Sequence, residues 1–258
     1  MIVYFVLTFA VTWGLWFAAG VSSPAGPHGP LVLMGVFTPA VIALSLTAVE
    51  EGRAGVIALL RRLIDWEHPV RWYVFAMTYV AAIKITAAVA HRVILGVWPA
   101  FGTESILLMI AATLASTFSG GQAGEEVGWR GYALPRLATR FGLPWASVVL
   151  GVVWASWHLP LFFAHGVDKM GQSFPLYLLQ VTALSVALAW LWSHTRGSLL
   201  PVMLMHAAGN NTKDIVPSVT VGATNPWAFS GAPVAWLSVA LLWICAGYFL
   251  VRMRPKAR

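Results

Sequence analysis

The stretch Ser105–Tyr132 reads SILLMIAATLASTFSGGQAGEEVGWRGY. Its first half is apolar, interrupted only by hydroxyl side chains. Its second half brings two adjacent carboxylates and a guanidinium, at Glu125, Glu126 and Arg130. A run of this kind is a helix that lies in an apolar medium and carries charge within it or at its end. Charge in that setting costs several kcal/mol unless it is paired, hydrated or useful.

Outward from this stretch the same medium is implied everywhere. Of 258 residues 59% are hydrophobic and 10% are charged, with 14 tryptophans, and the mean hydropathy is +0.76. A soluble domain carries about 25% charged residues, so the polar surface needed to face water is missing. The fold class is therefore an all-α polytopic membrane protein, a single integral membrane domain over residues 1–258 with the lipid bilayer as its solvent. Runs near the 20 or so residues that cross a bilayer predict eight transmembrane helices. They fall near Ile2–Ala19, Leu31–Ala48, Tyr73–Val97, Ser105–Gly120 with its extension, Pro144–Phe163, Phe174–Trp192, Leu199–Val216 and Val234–Val251. The first span lacks a basic n-region and is followed by others, which argues for an uncleaved helix over a signal peptide. Cys245, the single cysteine, excludes an intramolecular disulfide. The net charge of +7 is no evidence for nucleic-acid binding, because the placement of the charges matters more than their sum.

That placement is one-sided. Arg53, Arg61, Arg62 and Arg71 lie between spans two and three, and Arg130, Arg136 and Arg140 between four and five. Arg196 separates six from seven, and Arg252, Arg254, Lys256 and Arg258 form the tail. The other side holds Lys169, with Lys213 near a span end, while Lys84 and Arg92 lie in or at the end of span three. The excess of basic residues on cytoplasmic loops then puts both termini in the cytoplasm of a multi-pass cell-membrane protein. The preference for Arg over Lys suggests a bacterial source. Val56–Glu67 is amphipathic and is expected along the cytoplasmic interface, with Trp66 and Trp72 at headgroup depth.

Three polar constellations stand out in this apolar chain. In the first, Glu126 and Arg130 are four apart, in the favourable order for an ion pair. Glu125 points about 100° away from its neighbour on a helix and has no local partner. A structural pair and a free carboxylate aimed elsewhere are expected; a charge cluster at a helix end is the plainer alternative. The second is Trp154–Pro160, WASWHLP, where His158 could be an ordinary packing residue. The third is His206–Asn210, HAAGN, whose His and Asn share a helical face while the small residues between allow close helix packing.

Together these groups suit hydrolysis. A glutamate can take a proton from water with a histidine orienting or relaying it, while a second imidazole and an amide N–H stabilise an oxyanion. Glu125, His158 and His206 could instead be zinc ligands that acidify a bound water. HExxH and GxSxG elements are absent.

In order along the chain, EExxxR at Glu125–Arg130, aromatic-xxx-His at Trp154–His158 and HxxxN at His206–Asn210 resemble the type II CAAX prenyl protease family. This family is also called the CPBP or ABI family of intramembrane proteases. GWRGYALPRL and WHLP are similar to it too, and the resemblance covers about residues 105–212. It implies an eight-helix endopeptidase acting on a peptide or membrane-protein substrate. Glu125 and His158 would activate water, and His206 and Asn210 would form the oxyanion hole. Glu126 and Arg130 are then structural support, and a metal-free glutamate mechanism is favoured, with zinc as the alternative cofactor. A non-catalytic immunity or scaffolding role, and a transporter, are the competing classes. Trp154 stands where phenylalanine is commoner in the family, an exchange expected to alter packing only.

Glu125 is 17 residues before Gly142 and His158 is 16 after it. If spans four and five form a hairpin turning at Gly142, both lie about 25 Å from the turn. Glu125, His158, His206 and Asn210 are then expected to converge on a water-filled cavity opening toward the cytoplasm.

Overall fold

Backbone N–H and C=O groups find no partner in lipid, so an apolar run in a bilayer closes its hydrogen bonds within itself as a helix. The computed structural model, which describes residues 1–21, 29–164, 173–216, 225–229 and 232–254, is helical at every expected span and has no strand among those residues. Lys169, Lys256 and Arg258 lie outside them. Helix α1 is Ile2–Ala18, α2 Pro30–Arg61, α3 Val70–Leu95 and α4 Ile106–Ser119. A short α5, Gly121–Glu126, passes through a π-helical segment, Val127–Ala133, into α6, Leu134–Trp157, which ends in a 3-10 turn at Leu159–Phe163. Helix α7 is Phe174–His194, α8 Leu200–Thr212 and α9 Pro233–Arg252.

Among the described residues, five helical runs are long and apolar enough to cross a membrane: α2, α3, Gly121–Phe163, α7 and α9. Helices α1, α4 and α8, at 17, 14 and 13 residues, are shorter than the expected spans. A local feature ends each of α4 and α8. Gly120 leaves the helix with ψ −175°, and α8 tightens into a 3-10 turn over Lys213–Ile215.

The chain reverses at Gly142, whose φ of 72° and ψ of 155° interrupt α6. A positive φ is open to glycine at little cost, and Pro144, two residues on, restarts the helix in its first turn. The reversal is visible in a contact: Trp154 Nε1 lies 2.6 Å from Glu125 Oε2, 29 residues away. A straight helix would separate them by about 43 Å.

Packing builds a bundle in which α6 lies on α7, α3 on α8, α4 on α8, α7 on α9, and α2 on α1, α5 and the π segment. Gly128 is what lets the π segment approach so closely. A Cβ there would stand 2.4 Å from the Tyr4 hydroxyl and 2.6 Å from Pro39 Cβ. An aromatic seam then joins α1 to the end of α6, with ring centroids 4.8 Å apart for Trp16–Trp157 and 5.8 Å for Trp129–Trp157. Trp13 Nε1 donates to the Trp157 carbonyl at 2.9 Å, capping one of the orphan acceptors at that helix end.

The basic loops share one end of the bundle. Arg136 reaches Glu50 at 2.9 Å and Glu51 at 2.6 Å, the Leu199 amide donates to the Arg62 carbonyl at 2.8 Å, and Gly142 and Arg254 border one groove. The amphipathic segment is shorter than expected, since helix ends at Arg61, and Gly52 (φ 66°) separates it from the rest of α2. Its end is held from the α7–α8 connection, where Ser198 Oγ donates to the Asp65 carbonyl at 2.7 Å. At the opposite end the Gly102 amide donates to the Ile215 carbonyl at 3.1 Å. Large apolar side chains such as Ile106, Leu107 and Phe118 on α4, and Ile244 and Val251 on α9, face outward, as a lipid-contacting surface requires.

Candidate active site

Five elements bring the three polar motifs together. α5 supplies Glu125 and Glu126, and the π segment supplies Arg130 one turn later. The end of α6 supplies Trp154 and His158, and α8 supplies His206 and Asn210. Helix α3 closes the far wall with Lys84.

The two glutamates have different surroundings, as their 100° separation predicts. Glu126 is fully buried, and Arg130 Nη1, also fully buried, donates to its two carboxylate oxygens at 2.9 and 3.1 Å. A contact not anticipated from the sequence completes it: His206 Nδ1 lies 2.8 Å from Glu126 Oε1. Glu126 thus holds both its local partner and the histidine of the third motif, 80 residues on. Glu125 is 7% exposed and accepts the Trp154 indole N–H at 2.6 Å.

Both imidazoles have one nitrogen committed. His158 caps the C-terminus of α6, and its Nδ1 lies 2.9 Å from the Trp154 carbonyl four residues back. A carbonyl only accepts, so Nδ1 carries the proton, and in neutral His158 Nε2 is an acceptor. The Glu126 carboxylate imposes the same tautomer on His206. Its Nε2 then accepts in the neutral ring and donates only in the imidazolium.

Glu125, His158, His206 and Asn210 all border one cavity of about 100 Å³, room for about three waters. The expected convergence is therefore present. The cavity also touches Tyr177 near the start of α7 and Lys213 at the end of α8, in the half of the bundle remote from Arg62, Gly142 and Arg254.

Trp154 corrects one expectation. Its exchange for phenylalanine is more than a packing change, because the indole N–H is a donor that phenylalanine lacks. The ring also lies under the Arg130 guanidinium, 4.2 Å from Cζ to centroid, and edge-on to His206 at 5.1 Å.

Other lining residues carried no role in the sequence reading. Lys84 is buried in α3, donates to the Val216 carbonyl at 3.4 Å and borders the cavity together with Gln180 and Lys213. The signal was available for Lys84, since a charge in the middle of an apolar span marks a polar interior. Gln180 and Tyr177 had no such mark.

Zinc was the alternative cofactor. Among the described residues no three His, Cys, Asp or Glu side chains stand together as a ligand group, and one Glu125 oxygen is taken by the indole.

Comparison with known proteins agrees with this reading of the motifs. Residues 102–212 match the family model described as type II CAAX prenyl endopeptidase, Rce1-like. The chain is also 25% identical over 233 residues, 83% of each chain, to CAAX prenyl protease 2 of Methanococcus maripaludis. The matched region contains all three motifs, and with them the resemblance to a membrane protease family is shown.

Proposed function

From its resemblance to the type II CAAX prenyl endopeptidases, we propose that this chain is an intramembrane endopeptidase that hydrolyses a peptide bond with a glutamate-activated water. One observation carries the proposal. Glu125, His158, His206 and Asn210, from three motifs that lie 85 positions apart end to end, border one cavity.

In this reading Glu125 takes a proton from a water held between it and His158 Nε2. The resulting hydroxide attacks the peptide carbonyl carbon. The Asn210 amide and the imidazolium of His206 donate to the oxygen that becomes negative, and Glu126 opposite Nδ1 stabilises that imidazolium. The proton taken by Glu125 passes to the leaving amine, directly or through His158, and the C–N bond breaks. Glu126 and Arg130 hold His206 and the π segment and do not touch the substrate. The substrate is a peptide or membrane-embedded segment that reaches the cavity. The relative is named for prenylated CAAX substrates, and such peptides belong among those tested.

The test uses purified protein in liposomes and a panel of quenched fluorescent peptides, with and without a farnesylated C-terminal cysteine. Wild type is expected to cleave at least one, and Glu125→Gln to lose at least about a hundredfold in rate, the lower range for a general base. Cleavage unaffected by Glu125→Gln refutes the mechanism. One observation favours the zinc reading: both histidines give Nδ1 to an oxygen, the arrangement that presents Nε2 to a metal. Stoichiometric zinc by elemental analysis, with activity lost to a chelator and restored by zinc, would decide for it.

A further inference from the structure

We infer that Trp154 is a positioning residue, whose indole N–H fixes the carboxylate of Glu125 and leaves its second oxygen facing the cavity. The inference rests on the reading of Glu125 as the base. It concerns a function of Trp154 that phenylalanine at the same position could not perform.

The local chemistry requires something to hold Glu125. Its carboxylate is nearly buried, and an ionised carboxylate out of water needs donors. Arg130, the guanidinium nearest in sequence, has turned its Nη1 to Glu126, and its face is covered by the Trp154 ring. The donor that reaches Glu125 is the indole, at 2.6 Å to Oε2. This contact assigns the two oxygens: Oε2 accepts the indole, and Oε1 can receive the proton of a cavity water.

Trp154 is itself held from several sides, which is what makes it a reliable clamp. Its ring packs between Arg130 and the edge of His206, and it is 2% exposed. Its own carbonyl receives His158 Nδ1. One residue therefore sets Glu125 through its side chain and His158 through its main chain, and the two groups that face the proposed water are kept in register. Replacing the side chain alters only the first of these links.

The test compares wild type with Trp154→Phe, and with benzothienylalanine installed at position 154 by nonsense suppression. The benzothienyl ring keeps the two fused rings and replaces the N–H by sulfur, so it covers the case in which Trp154→Phe fails to fold. Two quantities are read. The first is the infrared carboxylate band of Glu125, identified as the band lost in Glu125→Gln; it requires no substrate. It is expected to shift in both Trp154 variants, as a carboxylate does on losing a strong donor. The second is kcat and KM on the peptide cleaved by wild type, where kcat is expected to fall about tenfold with KM little changed, because the base is misplaced while the substrate still binds. A purely structural Trp154 would lower stability and leave both readings in place. An unshifted band with unchanged kcat overturns the inference. Full activity of Glu125→Gln overturns instead the reading of Glu125 as the base, and the band still reports on the indole contact.

Discussion

Glu125 and Glu126 are adjacent in the chain and opposite in circumstance, and the contrast predicts two different phenotypes. Glu126→Gln removes the charge that Arg130 and His206 both contact inside the bundle. Breaking a buried ion pair from one side costs about 3–5 kcal/mol, so this variant should unfold at markedly lower temperature in detergent. Glu125→Gln keeps an oxygen for the indole and should unfold close to wild type. Equal, large destabilisation by both substitutions would contradict the assignment. The Glu126–Arg130 pair was legible from spacing because i,i+4 contacts are local. The His206–Glu126 and Trp154–Glu125 contacts were not, because they join residues 80 and 29 positions apart. No periodicity reports which atoms meet across a bundle.

At the level of elements, the hairpin from α5 through α6 depends on two glycines for different reasons. Gly142 supplies a left-handed backbone, so Gly142→Ala should cost about 1–2 kcal/mol, the penalty of that conformation for an L-residue. Gly128 supplies space, and a methyl at 2.4 Å from Tyr4 Oη must push α1 or α2 away from the π segment. Gly128→Ala is expected to cost about 1–3 kcal/mol as overpacking and to reduce activity, because the same segment carries Arg130. Unfolding temperatures in detergent measure both, and a Gly128→Ala protein as stable as wild type would contradict the close approach. The turn at Gly142 could be read from Phe-Gly-Leu-Pro, where local punctuation dictates the break. The π segment could not, since Val127–Ala133 contains ordinary helix-compatible residues and its extra residue per turn is selected by packing against α2.

For the molecule as a whole, composition alone was enough to establish a polytopic helical bundle, and charge bias to predict its sidedness. A cysteine at Arg61, with Cys245 replaced, should react only with thiol reagents that reach the cytoplasm, and one introduced beside Lys213 only with reagents outside. The reverse pattern would invert the orientation. Counting residues from Gly142 measures depth along the hairpin and says nothing of which helices close over the site. Shared lining of one cavity by Glu125, His158, His206 and Asn210 is the central feature, and proteolysis is what it is proposed to perform. The most direct measurement is N-terminal-enriched proteomics on membranes of cells carrying either the wild-type chain or Glu125→Gln at equal abundance. The account predicts new N-termini, within or beside apolar segments, that are present with wild type and absent with Glu125→Gln. Identical sets of N-termini from the two membranes would contradict it.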